Sequence, residues 1–154
     1  MYDILLIKKY MQDIIQREII INATKEKVYE AIANPDKVVL WFPDAIEGKY
    51  AEGEGSTFVF NGHGKSQIQI LEAKPYEYFA YRWVPGANVV VGDIKTASTT
   101  LVEFNIQEEE KGKCKVTMVE SGFAKLPQDM AENAFKQNSG GWEFMLGRLE
   151  KQFV

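Results

Sequence analysis

The chain has 154 residues, a hydrophobic content of 45%, a charged content of 26% and a formal net charge of −4, which fits one soluble domain with one substantial core. The negative balance and the lack of a basic stripe exclude general nucleic-acid binding and disfavour attraction to anionic lipid. One cysteine, Cys114, and one histidine, His63, rule out an internal disulfide and leave a structural zinc site without its four nitrogen or sulfur ligands, so no metal and no cofactor is expected.

The N-terminus carries a short apolar run, Ile4 to Ile7, followed by Lys8 and Lys9. Four residues fall far short of the roughly 20 needed to span a bilayer, and the charge follows the apolar run rather than preceding it as in a secretory signal. No membrane insertion is therefore expected, and the single cysteine agrees with a cytoplasmic location. Residues 1–13 read as an N-terminal arm and 14–154 as one domain. Met11 is a second candidate start, with Met1 to Tyr10 as upstream sequence.

Ile14 to Asn22 is β-branched and reads as the first strand. Thr24 is read as the N-cap of a helix over Lys25 to Ala33, with Val28, Tyr29 and Ile32 turned inward. Asn34-Pro35 ends it, because a residue before proline resists helical geometry. A second short helix over Asp36 to Leu40 leads into Trp41-Phe42-Pro43.

A series of strands follows. Ala45 to Ala51 is weakly patterned, and Thr57 to Asn61 alternates with Phe58 and Phe60 on one face. Asn61-Gly62-His63-Gly64 marks a turn. Lys65 to Ala73 sets Ile68 and Ile70 against Lys65, Gln67 and Gln69. Tyr78 to Val84 places Phe79, Tyr81 and Trp83 together, with Arg82 on the opposite face. Pro85-Gly86 opens a loop to about Ala97. Thr99 to Gln107 groups Val102, Phe104 and Ile106, the charged Glu108 to Gly112 stretch reads as a hairpin turn, and Lys113 to Ser121 groups Val116, Met118 and, by parity, Glu120.

From Pro127 the period changes. Phe135, Trp142, Met145, Leu146, Leu149 and Phe153 recur at helical spacing, which gives an amphipathic helix to Val154. Such a helix after a run of antiparallel strands needs a concave apolar surface to lie on, so the class is α+β. Gly140, Gly141 and Gly147 inside it each cost about 1 kcal/mol relative to alanine. Three explanations stand open: close packing of the helix backbone on the sheet, space left for a ligand, or a bend at Gly140-Gly141 after a shorter first helix.

The segments Ala23 to Ile32, Asn34-Pro35-Asp36-Lys37 with Trp41-Phe42-Pro43, Glu120-Ser121-Gly122-Phe123, and Gly141-Trp142 with Leu146 and Leu149 resemble the START-like, or birch-pollen-allergen-like, helix-grip superfamily. Within it they are similar to the branch named after the activator of heat-shock protein 90 ATPase. The resemblance covers about Ile14 to Val154. It implies a helix-grip fold: a curved antiparallel sheet of about seven strands wrapped around a long C-terminal helix, with two short helices after the first strand. It also implies an internal cavity for an apolar molecule. A minority of members are enzymes, such as aromatase/cyclases. In the eukaryotic chaperone activators the domain accompanies a separate N-terminal domain.

Trp41, Phe60, Tyr81, Trp83, Phe104, Met118 and Trp142 are the expected ligand wall, with Phe42, Phe58 and Phe79 in the same aromatic set. A solid core is the alternative use of these side chains. Glu120 is the candidate polar contact. Inward, it would be a desolvated carboxylate able to bond a ligand or act as a base, with Arg82 or Arg148 as partner. Because Gly122 breaks the strand just beyond it, the expectation is a rim position in water. His63, between two glycines, is expected exposed, and Cys114 is expected to be a small strand residue. No catalytic residue is assigned. The expected function is binding of a small hydrophobic or amphipathic ligand between sheet and helix. A protein-interaction module or chaperone cofactor, using the outer sheet face or the Trp83–Thr96 loop, is the alternative. A cyclase- or hydrolase-type enzyme built on Glu120 and Tyr81 is the third.

Overall fold

The computed structural model describes residues 13–85 and 93–154. Most of the expected N-terminal arm and the middle of the Trp83–Thr96 loop lie outside the described residues. Of the arm, Asp13 is described: its carboxylate accepts a hydrogen bond from the Ala124 N–H at 2.8 Å.

Strand β1 spans Ile14–Ile21. Helix α1 spans Lys25–Ala33, and the Thr24 side chain accepts from the Lys27 N–H at its N-terminus. Val28, Tyr29 and Ile32 are buried, as the spacing predicts. Helix α2 is Pro35–Val38 rather than Asp36–Leu40. The difference has a physical reason: proline fits the first helical turn, where its missing N–H has no partner to lose. Asn34 thus closes one helix and caps the next. Its N–H donates to Glu30 O at 3.0 Å, and its side-chain oxygen accepts from the Asp36 N–H at 2.9 Å.

The strands continue as β2 (Ala45–Gly48), β3 (Gly55–Phe60), β4 (Gly64–Lys74), β5 (Tyr78–Trp83), β6 (Thr100–Glu110) and β7 (Lys113–Ser121). They form one antiparallel sheet in the order β1-β7-β6-β5-β4-β3-β2. β2 to β7 is a meander of sequential neighbours, and β1 closes onto β7 with Ile15 opposite Glu120. The Asn61-Gly62-His63 turn joins β3 to β4, with Gly62 at φ 80°. A register shift between Ile70 and Glu72 lets Ile70 and then Ala73 both lie opposite inward residues of β5.

Helix α3 runs without interruption over Gln128–Lys151. A division into two helices at Gly140-Gly141 is therefore absent, and the whole segment forms one helix against the concave face of the sheet. Trp142, Leu146 and Leu149 are its buried stripe, with Phe135, Met145 and Phe153 packed partly against the core. Each fully buried side chain of this size contributes about 1.5–3 kcal/mol. Polar contacts fix the helix as well: Arg17, on the inner face of β1, donates from Nη2 to Ser139 Oγ at 2.8 Å.

None of the three helix glycines meets another atom within 4 Å of where a Cβ would stand. Close backbone packing is thereby excluded as their explanation. No helix among the described residues is long and apolar enough to cross a membrane.

Candidate functional site

The predicted wall residues fall into two groups. Trp41, Tyr81, Phe104 and Met118 are almost wholly buried and belong to a solid core. Trp41 stacks on Phe42 at 5.3 Å and donates from Nε1 to Ala31 O at 2.8 Å, which ties the two short helices to the interior. Phe104 packs edge-on against both Trp41 and Trp142. Aromatic side chains fill this space by interlocking edge to face, so four of the seven expected wall residues lie in the packed interior.

Phe60, Trp83 and Trp142 line a cleft instead. Its volume is about 550 Å³, and it opens to solvent between the β3–β4 hairpin, β5 and α3. Phe42, Phe144 and Met145 complete its apolar surface, and His63, Ser66, Gln137 and Asn138 are its polar members. Phe144 is 65% exposed at the lip. Gly141 also borders the cleft, and the space a side chain would take there is open. His63 is exposed, as expected of a turn residue, yet the hairpin brings it to the cleft edge.

Glu120 does not sit at the rim in water. It is 0% exposed, behind the cleft wall. Strand parity holds to the last residues of β7, and Gly122, at φ 98°, turns the chain only afterwards. Four side chains converge on the carboxylate. Trp83 Nε1 donates to Oε2 at 2.8 Å and Trp142 Nε1 to Oε1 at 2.7 Å. Thr100 Oγ1 donates to Oε2 at 2.5 Å, and Asn138 Nδ2 lies 3.0 Å from both oxygens. The network joins β5, β6, β7 and α3 through one side chain.

Burial raises the Glu120 pKa above its ordinary value, and the bonds from Thr100, Trp83, Trp142 and Asn138 oppose that rise. No ion pair to Glu120 occurs among the described residues. Arg82 Nε donates to Gln69 Oε1 at 2.7 Å on the other face of the sheet, and Arg148 Nη2 reaches Leu40 O at 3.4 Å. Neither suggested arginine partner is therefore used.

Neither Glu120 nor Tyr81 lines the cleft. The Tyr81 hydroxyl is buried with no hydrogen-bond partner among the described residues, and burial raises its pKa well above the ordinary value. Cys114 is fully buried, and its thiol pKa is raised chiefly by burial, which makes a poor nucleophile. No cluster of three or more His, Cys, Asp or Glu suited to a metal occurs among the described residues.

Sequence reading passed over Ser66, Gln137, Asn138, Phe144 and Met145 as cleft members. The helical period carried part of the signal. Asn138, Gly141, Trp142 and Met145 follow one another at i, i+3, i+4 and i+7, so a polar residue and a glycine share the stripe of Trp142. The role of Ser66 depends on the pairing of β4 with β3, which no local pattern discloses.

A curved antiparallel sheet closed over a long C-terminal helix, with an aromatic cleft between them, defines a helix-grip protein of the START-like class. Residues 22–153 match the model of the family described as Activator of Hsp90 ATPase homolog 1-like protein, and the chain belongs to that family. Solved structures agree on the fold. Protein MLL2253 from Mesorhizobium loti is 21% identical with a TM-score of 0.72, covering 90% of this chain and 94% of its own. The Aha1 dimer from Colwellia psychrerythraea is 21% identical with a TM-score of 0.70, covering 91% and 95%. Bacillus halodurans protein BH1534 is 21% identical with a TM-score of 0.69, covering 92% and 96%. None of the curated proteins compared with the sequence matches it.

Proposed function

We propose that this protein binds a small hydrophobic or amphipathic molecule in the cleft between the β3–β4 hairpin, β5 and α3. The observation that carries the reading is the cleft itself: about 550 Å³ walled by Phe42, Phe60, Trp83, Trp142 and Met145, with a few polar groups at one side. That size and composition suit a small-molecule site. Gly141 supports the same reading. A helix position that would gain about 1 kcal/mol from alanine keeps a glycine beside open space.

The test is titration with the neutral dye N-phenyl-1-naphthylamine, read by dye emission and by quenching of tryptophan. The expected outcome is saturable one-to-one binding to the wild type, weakened about tenfold or more in Gly141→Leu, whose side chain occupies the cleft while favouring the helix. No saturable binding to the wild type, or undiminished binding to the variant, refutes the proposal.

A second reading, a protein-interaction module or chaperone cofactor, draws on one observation: Phe144 stands 65% exposed at the cleft lip, where a partner's apolar group would cover it. Stimulation of heat-shock protein 90 ATPase by the wild type, lost in Phe144→Ser with the dye still bound, would favour it. No such specific observation favours the enzyme reading, because the four donors on Glu120 leave its oxygens no approach for a substrate.

A further inference from the structure

The tryptophan walls of the cleft offer it no N–H donor, and the reason lies behind them. Trp83, Asn138 and Trp142 all border it, and all three direct an N–H to Glu120. An indole has no other polar atom, so both tryptophans meet an occupant with carbon alone. Asn138 differs. Its amide nitrogen faces a carboxylate whose oxygens already accept from two indoles, so this amide is oriented by its surroundings. Its Oδ1 makes no hydrogen bond among the described residues and remains an acceptor on a residue of the cleft.

Charge points the same way. No Lys, Arg, Asp or Glu lines the cleft, while the Glu120 carboxyl sits directly behind two of its walls. The donors left are the Ser66 hydroxyl, on a buried residue, and the exposed His63 and Gln137 at the edge. An anion entering here would give up water to a lining that holds no Lys or Arg.

From this arrangement, and resting on the binding role proposed above, we infer that the cleft selects an uncharged molecule whose polar end carries a hydroxyl or N–H donor, received by Asn138 Oδ1. Glu120 is then a positioning residue. It holds the amide in the acceptor-outward orientation and keeps both indole N–H groups out of the cleft. Fatty acids and other carboxylates are excluded by the same geometry.

Three fluorescent probes of one shape separate the possibilities: 1-hydroxypyrene, 1-methoxypyrene and 1-pyrenecarboxylate. Each is titrated at pH 7 against wild type and Asn138→Ala, with binding read by energy transfer from tryptophan. The hydroxyl probe is expected to bind the wild type about tenfold tighter than its methyl ether, and the carboxylate more weakly than either. In Asn138→Ala the affinity ratio of hydroxyl probe to methyl ether is expected to fall to about one, with far-UV circular dichroism showing that the variant is folded. A preference that survives the substitution, equal binding of hydroxyl and ether, or tightest binding of the carboxylate overturns the inference and leaves the binding role standing. Failure of all three probes to bind overturns both.

Discussion

Replacing Glu120 with alanine tests the network most directly. The substitution removes the acceptor for Trp83 Nε1, Thr100 Oγ1 and Trp142 Nε1, on residues only 7%, 1% and 2% exposed. Side chains so enclosed cannot turn to water. A buried donor left unmet costs about 1–3 kcal/mol, so three cost roughly 3–9 kcal/mol. Against this, the native state no longer desolvates a carboxylate, a relief of several kcal/mol. The net expectation is a loss of about 2–4 kcal/mol, a large share of the 5–15 kcal/mol typical of a domain. Urea unfolding followed by tryptophan emission measures it, since two of the three tryptophans report from the network. A loss below about 1 kcal/mol, or a gain, would refute the view that the carboxylate braces helix to sheet.

The same network has a pH signature. Burial raises the native pKa of Glu120 above its ordinary 4.5, so the unfolded chain loses this proton at lower pH than the folded one. Between those two values the native state binds more protons, and rising pH therefore lowers stability through this group. The advantage of wild type over Glu120→Gln should shrink as pH rises from 4.5. A flat difference, or one that grows with pH, would contradict the raised native pKa.

Gly140→Ala should stabilise the protein by about 0.5–1 kcal/mol, because α3 is unbroken there and the added methyl meets nothing; thermal melts should show a rise of about 1–4 °C. Gly122→Ala should destabilise by about 1–2 kcal/mol, since φ there is 98° and the strain is conformational rather than steric; equilibrium unfolding checks it, and an unchanged midpoint would argue against a left-handed turn. Asn34→Ala should cost about 1 kcal/mol in the same assay through loss of the α2 cap.

Much of the architecture is local and was therefore legible in the residues. Period-two alternation located β3 to β7, and period-3.6 spacing located α3, because pleat and helix each fix which side chains share a face. The boundaries of α1 and β7 follow from Thr24, Asn34-Pro35 and Gly122, whose effects reach only a residue or two. The resemblance to the helix-grip superfamily added how the elements assemble.

The site was less legible, for reasons tied to particular side chains. Tyr81 and Trp83 share one strand face, yet the first is core and the second borders the cleft. That division depends on which rings from other elements close over each, Phe58 and Phe104 over Tyr81 and Phe42 and Trp142 over Trp83, not on parity. Parity alone placed Glu120 inward, but the strand break at Gly122 favoured a rim position, and the partners the sequence suggested, Arg82 and Arg148, are not used. Its partners are neutral: two indoles, a hydroxyl and an amide, drawn from positions 83, 100, 138 and 142. The sequence by itself determined the strands, the helices and the apolar face each presents, since these follow from short-range periodicity. Only the tertiary structure decided which aromatics pack and which border the cleft, and which donors close around Glu120, because contacts such as Trp41 with Phe104 and Trp83 with Glu120 join residues far apart in the sequence and exist only once the sheet has curved around its helix.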